Sequence, residues 1–194
     1  MTTQERINGK DLINIGIYAA IYCVVMTAIA MLGFIPIMMP ALTVLVPLIG
    51  GIPMMLFYTK VKKFGMITIM GAIVGVFLMI TGMGIWPAIL GLPIGFLADL
   101  VAKSGGYTSA KKSILSYATL CLLIFGNYIA LYLDIDGYFA TRQSFGEEYI
   151  SALSAVMQPW TAPVLFISCF VFGALGAVLG QKLLKKHFEK AGIV

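Results

Sequence analysis

Charge is scarce in this sequence. Of 194 residues, 11% are Asp, Glu, Lys or Arg, while 60% are hydrophobic. A soluble domain carries roughly a quarter charged residues. That deficit and a mean hydropathy of +0.99 exclude the soluble globular class and predict a polytopic membrane protein. Cysteine occurs three times, at Cys23, Cys121 and Cys169, each in a different apolar segment and never as C-x-x-C. Histidine occurs once, at His187, among Lys185, Lys186 and Glu189, where it reads as a solvated tail residue. Neither a metal site nor a disulfide framework is indicated. No G-x-x-x-x-G-K-[ST] run occurs, so ATP is not bound through a P-loop. Paired carboxylates that would build an intramembrane proton relay are missing. The formal charge of +5 is dispersed among short links, which argues against nucleic acid as a partner. Glu5 and Asp11 accompany Arg6 and Lys10, and the first apolar segment is long enough to span. Both features argue against a cleavable signal peptide.

What is present is six apolar segments, at 12–34, 41–58, 64–81, 85–103, 110–133 and 161–184. Each approaches the length that crosses ~30 Å of hydrocarbon. The second and third are the shortest, which calls for tilt or local thinning. The links settle the orientation. With six spans, 12 of the 13 basic residues fall on one side, and only Arg142 falls on the other. The positive-inside rule then places both termini in the cytoplasm. The expected architecture is all-α: one transmembrane domain over 1–194, a compact bundle of six helices, with a lid-like extracellular loop at 134–160. No internal repeat is visible, which argues against an inverted-repeat transporter.

Small residues recur at helical spacing. In Trp86–Lys103, Ala88, Gly91, Gly95, Ala98 and Ala102 share a face, opposite bulky Ile89, Leu92, Phe96 and Leu100. Helix 1 offers Gly16, Ala20, Cys23, Thr27 and Ala30, and helix 6 offers Cys169, Gly173, Gly176 and Gly180. Such faces let membrane helices approach closely. They pack within the bundle, or one of them, best on helix 1, meets a partner subunit. Asp99 is the one carboxylate deep in apolar sequence. It pairs with Lys103 one turn on, or it orders contact with a cytoplasmic partner.

The outer ends hold the ligand-capable side chains: Met38 and Met39 after Phe34, Met83 and Trp86, Asn127, Tyr128 and Tyr132, and Trp160 after Gln158. Singly, the aromatics read as interfacial-belt residues and the methionines as gap-fillers. Together they suggest a pocket for a small organic molecule. Asn127 needs a partner inside an apolar helix, and either a neighbouring helix or a ligand can supply one. The stretch 146–158 is amphipathic, with Tyr149, Leu153 and Val156 on one face and Glu147 and Glu148 at the dipole-favoured N-terminal end. It reads as a short interfacial helix that shields the bundle or lids a pocket.

The runs GIYAAIYCVV, LVPLIGGIPMMLFYTKVKKFG and GLPIGFLADL, within six short helices, resemble the substrate-binding S components of energy-coupling factor (ECF) transporters, and most nearly their Trep_Strep group. The resemblance covers nearly the whole chain. It implies a non-enzymatic protein of the bacterial cytoplasmic membrane with no cofactor of its own. Such a protein captures a vitamin-like substrate at its outer face and works with a transmembrane coupling subunit and two ATPase subunits that bind ATP. By position, the implied substrate residues are Met38, Met39, Trp86, Asn127, Tyr128, Tyr132 and Trp160. The Ala-x-x-x-Ala docking signature of such components maps onto Ala19 and Cys23 or onto Gly16 and Ala20, and Asp99 lies at the docking end. A Met-rich, aromatic site without a basic cluster favours a flat or largely apolar ligand such as a tetrapyrrole. The rival readings are a small membrane enzyme acting on lipid or prenyl groups, which needs clustered His, Glu or Asp, and a stand-alone channel, which needs a polar stripe.

Overall fold

The computed structural model describes residues 6–140, 142, 145–185 and 189; His187, Lys186 and Lys190 lie outside them. Among the described residues the structure is helical throughout, without strands. The helices are α1 (Gly9–Ala30), α2 (Met38–Tyr58), α3 (Met66–Leu78), α4 (Trp86–Lys103), α5 (Ala110–Leu133), α6 (Ile135–Ala140), α7 (Glu147–Val156) and α8 (Thr161–Leu183). Six stretches are long and apolar enough to cross a membrane: Gly9–Phe34, Met38–Tyr58, Met66–Met83, α4, α5 and α8.

Neighbour contacts close these six into a ring, in the order α1, α2, α8, α5, α4, α3 and back to α1, with α2 also touching α5 across it. Glycine makes the tightest seams. A Cβ on Gly91 would lie 2.6 Å from the Gly71 carbonyl oxygen, and one on Gly95 would lie 2.9 Å from that of Thr68, so α3 and α4 meet backbone to backbone. On the α2–α8 seam a Cβ on Gly180 would come within 2.7 Å of the Gly51 carbonyl oxygen. The small face of Trp86–Lys103 is therefore internal packing.

Hydroxyls bridge the helices. Tyr58 and Ser116 share a 2.6 Å bond, Ser116 donates to the Ala98 carbonyl at 2.6 Å, and Tyr117 donates to the Pro47 carbonyl at 2.9 Å. Each satisfies a polar group that lipid would leave bare. Bulky apolar side chains such as Val24, Ile80, Ile89 and Leu97 point outward and are exposed, as a bundle solvated by lipid requires.

Two segment ends differ from the sequence expectation. The third segment is α-helical only to Leu78. It continues as a wider turn through Met79–Met83, where Gly82 has φ 89°, a left-handed conformation that glycine adopts freely. The link at 134–160 also folds more fully than expected: Asp134 Oδ1 accepts from the Gly137 N–H at 2.8 Å and starts α6.

The end that carries the lysine-bearing links is tied together by polar bonds. Lys63 pairs with Asp11 at 2.9 Å and donates to the Arg6 carbonyl at 3.2 Å, while Gln181 donates to the Ala110 carbonyl at 2.9 Å. Asp99 sits fully buried at this end. Its Oδ2 accepts from the N–H groups of Gly65 (2.7 Å), Ile67 (3.2 Å) and Thr68 (3.1 Å) and from the Thr68 hydroxyl (3.0 Å). Its Oδ1 accepts from the Tyr107 hydroxyl at 2.8 Å. Asp99 of α4 thus caps the N-terminus of α3, where free N–H groups and the helix dipole favour an anion. This corrects the expected pairing of Asp99 with Lys103. Lys103 stands over the Phe64 ring instead, 4.7 Å from its centroid, and the Asp99 carboxylate is fully buried with five donors from its own chain. Burial and the Asp99 carboxylate push the Tyr107 phenol well above the ordinary range, so it remains a donor.

Candidate functional site

At the opposite end the ring holds a partly open cavity of about 260 Å³. α1 contributes Met26, Thr27 and Ala30; α2 contributes Met39, Leu42 and Val46; the end of α3 and the turn after it contribute Phe77, Leu78, Thr81 and Met83. α5 contributes Ile124, Asn127 and Tyr128. Among the described residues no charged side chain lines it.

The roof is aromatic. Tyr138 and Phe139 come from α6, Phe145 from the segment before α7, Tyr149 from α7, and Phe34 from the short turn after α1. Phe145 and Tyr149 rings lie 4.6 Å apart, Phe139 and Phe145 5.6 Å, Phe34 and Phe145 5.9 Å. Leu153, fully buried, and Met157 anchor α7 in the core, as the amphipathic pattern of 146–158 requires. Two polar ties hold the roof down. Tyr149 donates to the Gly33 carbonyl at 2.5 Å. Arg142 donates to the carbonyls of Tyr138 and Gly82 and stacks over the Tyr138 ring, 3.6 Å from its centroid. Burial pushes the phenols of Tyr138 and Tyr149 up, opposed at Tyr138 by Arg142, so both stay neutral.

Most lining hydroxyls are already spent on backbone carbonyls. Thr27 donates to Cys23 (2.8 Å), Thr81 to Leu78 (3.0 Å) and Tyr128 to Met39 (2.7 Å). Asn127 differs. Its Oδ1 is the buried side-chain oxygen or nitrogen that lacks a hydrogen-bond partner among the described residues. A buried unpaired amide oxygen costs about 1–3 kcal/mol, and a ligand donor would recover that.

The structure brings Met39, Asn127 and Tyr128 to one cavity and leaves Met38, Trp86, Tyr132 and Trp160 outside its lining. α4 and α8 contribute no lining residue, and that removes Trp86 and Trp160. Trp160 is 70% exposed at the head of α8, the position of an interfacial-belt residue. Tyr132 bonds to Thr161 at 2.7 Å and joins α5 to α8. Met38 is half-buried, one residue from the lining.

The proposed docking residues also divide. The buried stripe of α1 is Ile15, Ala19, Tyr22, Cys23, Met26 and Ile29, so Ala19 and Cys23 are core. Gly16 and Ala20 face outward, and a Cβ on Gly16 would meet nothing within 4 Å. Sequence reasoning missed Tyr138, Phe139 and Phe145. Their signal was there, four aromatics within twelve residues of a link otherwise read as a loop. Among the described residues no three His, Cys, Asp or Glu side chains are grouped to hold a metal ion.

Six membrane-length helices closed around an uncharged cavity define a multi-pass integral membrane protein with an internal site of small-molecule size. The chain belongs to the Trep_Strep family, described as "Hypothetical bacterial integral membrane protein (Trep_Strep)", whose model matches residues 9–190. It is also similar to a protein of Salmonella typhimurium described as "Putative O-antigen transporter", 26% identical over 115 residues. That match covers 56% of this chain and 25% of the Salmonella protein, so the chain spans about a quarter of its relative's length. No solved structure matches the chain.

Proposed function

We propose that this protein is the substrate-binding S component of an ECF importer. In this reading it captures a vitamin-like micronutrient from outside the cell in the roofed cavity. A transmembrane coupling subunit and two ATP-binding ATPase subunits then drive delivery inward. The observation that carries the reading is the uncharged cavity with an unpaired Asn127 oxygen, set at the end away from the lysine-bearing links. With those links in the cytoplasm, the cavity faces the supply side. The local likeness to a protein described as a transporter supports transport in general. Gly16 and Ala20, with exposed Ile13, Ile17 and Val24 beside them, give α1 an outward face on which a coupling subunit can pack.

The test is reconstitution. The chain is co-expressed with the coupling subunit and ATPases of its own host, purified, and placed in liposomes. Expected results are a stable assembly, uptake that requires ATP, and a small molecule retained by the chain alone and detected by mass spectrometry. Gly16→Trp should break the assembly while leaving the retained molecule in place. Failure to form any such assembly, with no molecule retained across growth conditions, would overturn the reading.

A further inference from the structure

We infer that the cavity selects a neutral, flat ligand of about two fused rings that presents an adjacent hydrogen-bond donor and acceptor, a lactam-like edge, to the Asn127 carboxamide. This rests on the proposed function for its biological meaning, but the binding chemistry stands on the cavity alone.

Size comes first. An apolar cavity of roughly 150 Å³ holds one benzene ring. The 260 Å³ here has room for a second fused ring, whereas a tetrapyrrole macrocycle is much larger. Shape and polarity follow from the lining. The roof presents ring faces and edges from Phe139, Phe145 and Tyr149, and the walls present Met26, Met39 and Met83. Ring faces stack on conjugated ligands, and thioethers contact them favourably.

Charge is decided by what is missing from the lining. No Asp, Glu, Lys, Arg or His among the described residues reaches the cavity. The basic group nearest in the chain to the roof residues, Arg142, already donates to two carbonyls and covers the Tyr138 ring. Burying an ionised ligand without a partner is costly, so a carboxylate or ammonium is selected against. The polar edge is decided by Asn127. Its Oδ1 calls for a donor. A carboxamide is planar and carries an acceptor and a donor side by side, so its best complement is another cis amide, joined by two antiparallel hydrogen bonds. Four lining hydroxyls, of Thr27, Thr81, Tyr128 and Tyr149, already donate to the backbone.

The experiment uses the purified full-length chain in nanodiscs and equilibrium binding of four probes: 2-quinolone, naphthalene, 2-naphthoate and hemin. The expected order is 2-quinolone first, naphthalene roughly tenfold weaker for want of the amide edge, and 2-naphthoate and hemin weaker still. Asn127→Leu, which keeps side-chain volume, should abolish the preference for 2-quinolone over naphthalene while keeping naphthalene binding. Equal binding of 2-quinolone and naphthalene by the unaltered chain would overturn the inference, as would tighter binding of 2-naphthoate or hemin. Both comparisons need no variant, so they hold even if Asn127→Leu does not fold. The two readings fail separately. Loss of assembly with the ATPases, with the probe order intact, removes the importer role and keeps the ligand class. A reversed probe order with ATP-driven uptake intact does the opposite.

Discussion

At the scale of single residues, Asp99 and Asn127 are the same kind of problem solved in opposite ways. Each is a polar side chain in an apolar helix. Asp99 is satisfied within the fold by Gly65, Ile67, Thr68 and Tyr107, while Asn127 Oδ1 is not satisfied by the described residues. The first is the pattern of a structural group; the second leaves an acceptor open, and the proposed function uses it for a ligand. Removing the Asp99 carboxylate strands the donors at the start of α3, and hydrogen bonds to a charged group contribute about 1.5–3 kcal/mol each. Asp99→Ala should therefore destabilise the protein by about 3 kcal/mol or more, with Asp99→Asn costing less because one amide oxygen still accepts. Thermal unfolding in detergent measures both. Equal stability of Asp99→Ala and the unaltered chain would refute the capping role.

At the scale of elements, close backbone approach sets what each helix face tolerates. The α3–α4 seam leaves no volume for a side chain at Gly91, since a Cβ there would also lie 3.2 Å from Gly75 Cα. Gly91→Val should separate the helices and cost several kcal/mol, on the order of other overpacking changes. Gly16→Ala adds its methyl to open space and should be neutral or stabilising by up to about 1 kcal/mol through helix propensity. Paired unfolding measurements on the two variants separate a packing glycine from a surface glycine. Comparable losses at both positions would contradict the assigned faces. The roof is the other element-scale feature. α6 and α7 meet the bundle through rings, two buried side chains and polar ties to the Gly33 and Gly82 carbonyls, a lighter attachment than the glycine seams beneath them.

At the scale of the whole molecule, the bundle has a polar, basic, tied end and an apolar, roofed end. The positive-inside rule predicts which of them faces the cytoplasm. Lys62 and Glu148 are exposed at the two ends, and the three native cysteines are buried. A membrane-impermeant maleimide added to intact cells should therefore label Glu148→Cys, and label Lys62→Cys only after permeabilisation. The reverse pattern would invert the topology and place the cavity on the cytoplasmic side.

The count, type and rough extent of the membrane helices were legible in the chain itself. Long apolar runs can satisfy their backbones only as helices in lipid, and lysine distribution orders the links. The small faces of α4 and α8 were legible too, because helical period alone places Gly91 and Gly95, or Gly176 and Gly180, on one side. Which neighbour each face meets was not legible. That depended on the ring order, and with it went the split of Ala19 and Cys23 from Gly16 and Ala20. Asp99 shows the same limit: sequence distance favoured Lys103, but four of the five donors it found lie 31 to 34 residues away. The cavity was half legible. Position along the helices pointed to Met39, Asn127 and Tyr128, whereas Trp86 and Trp160 fell outside because neither α4 nor α8 contributes to the cavity lining. Tyr138, Phe139 and Phe145 became a roof only once Asp134 had started α6 and Leu153 had anchored α7. A sequence specifies periodicity and hydropathy locally, but a pocket is built where faces of distant helices converge.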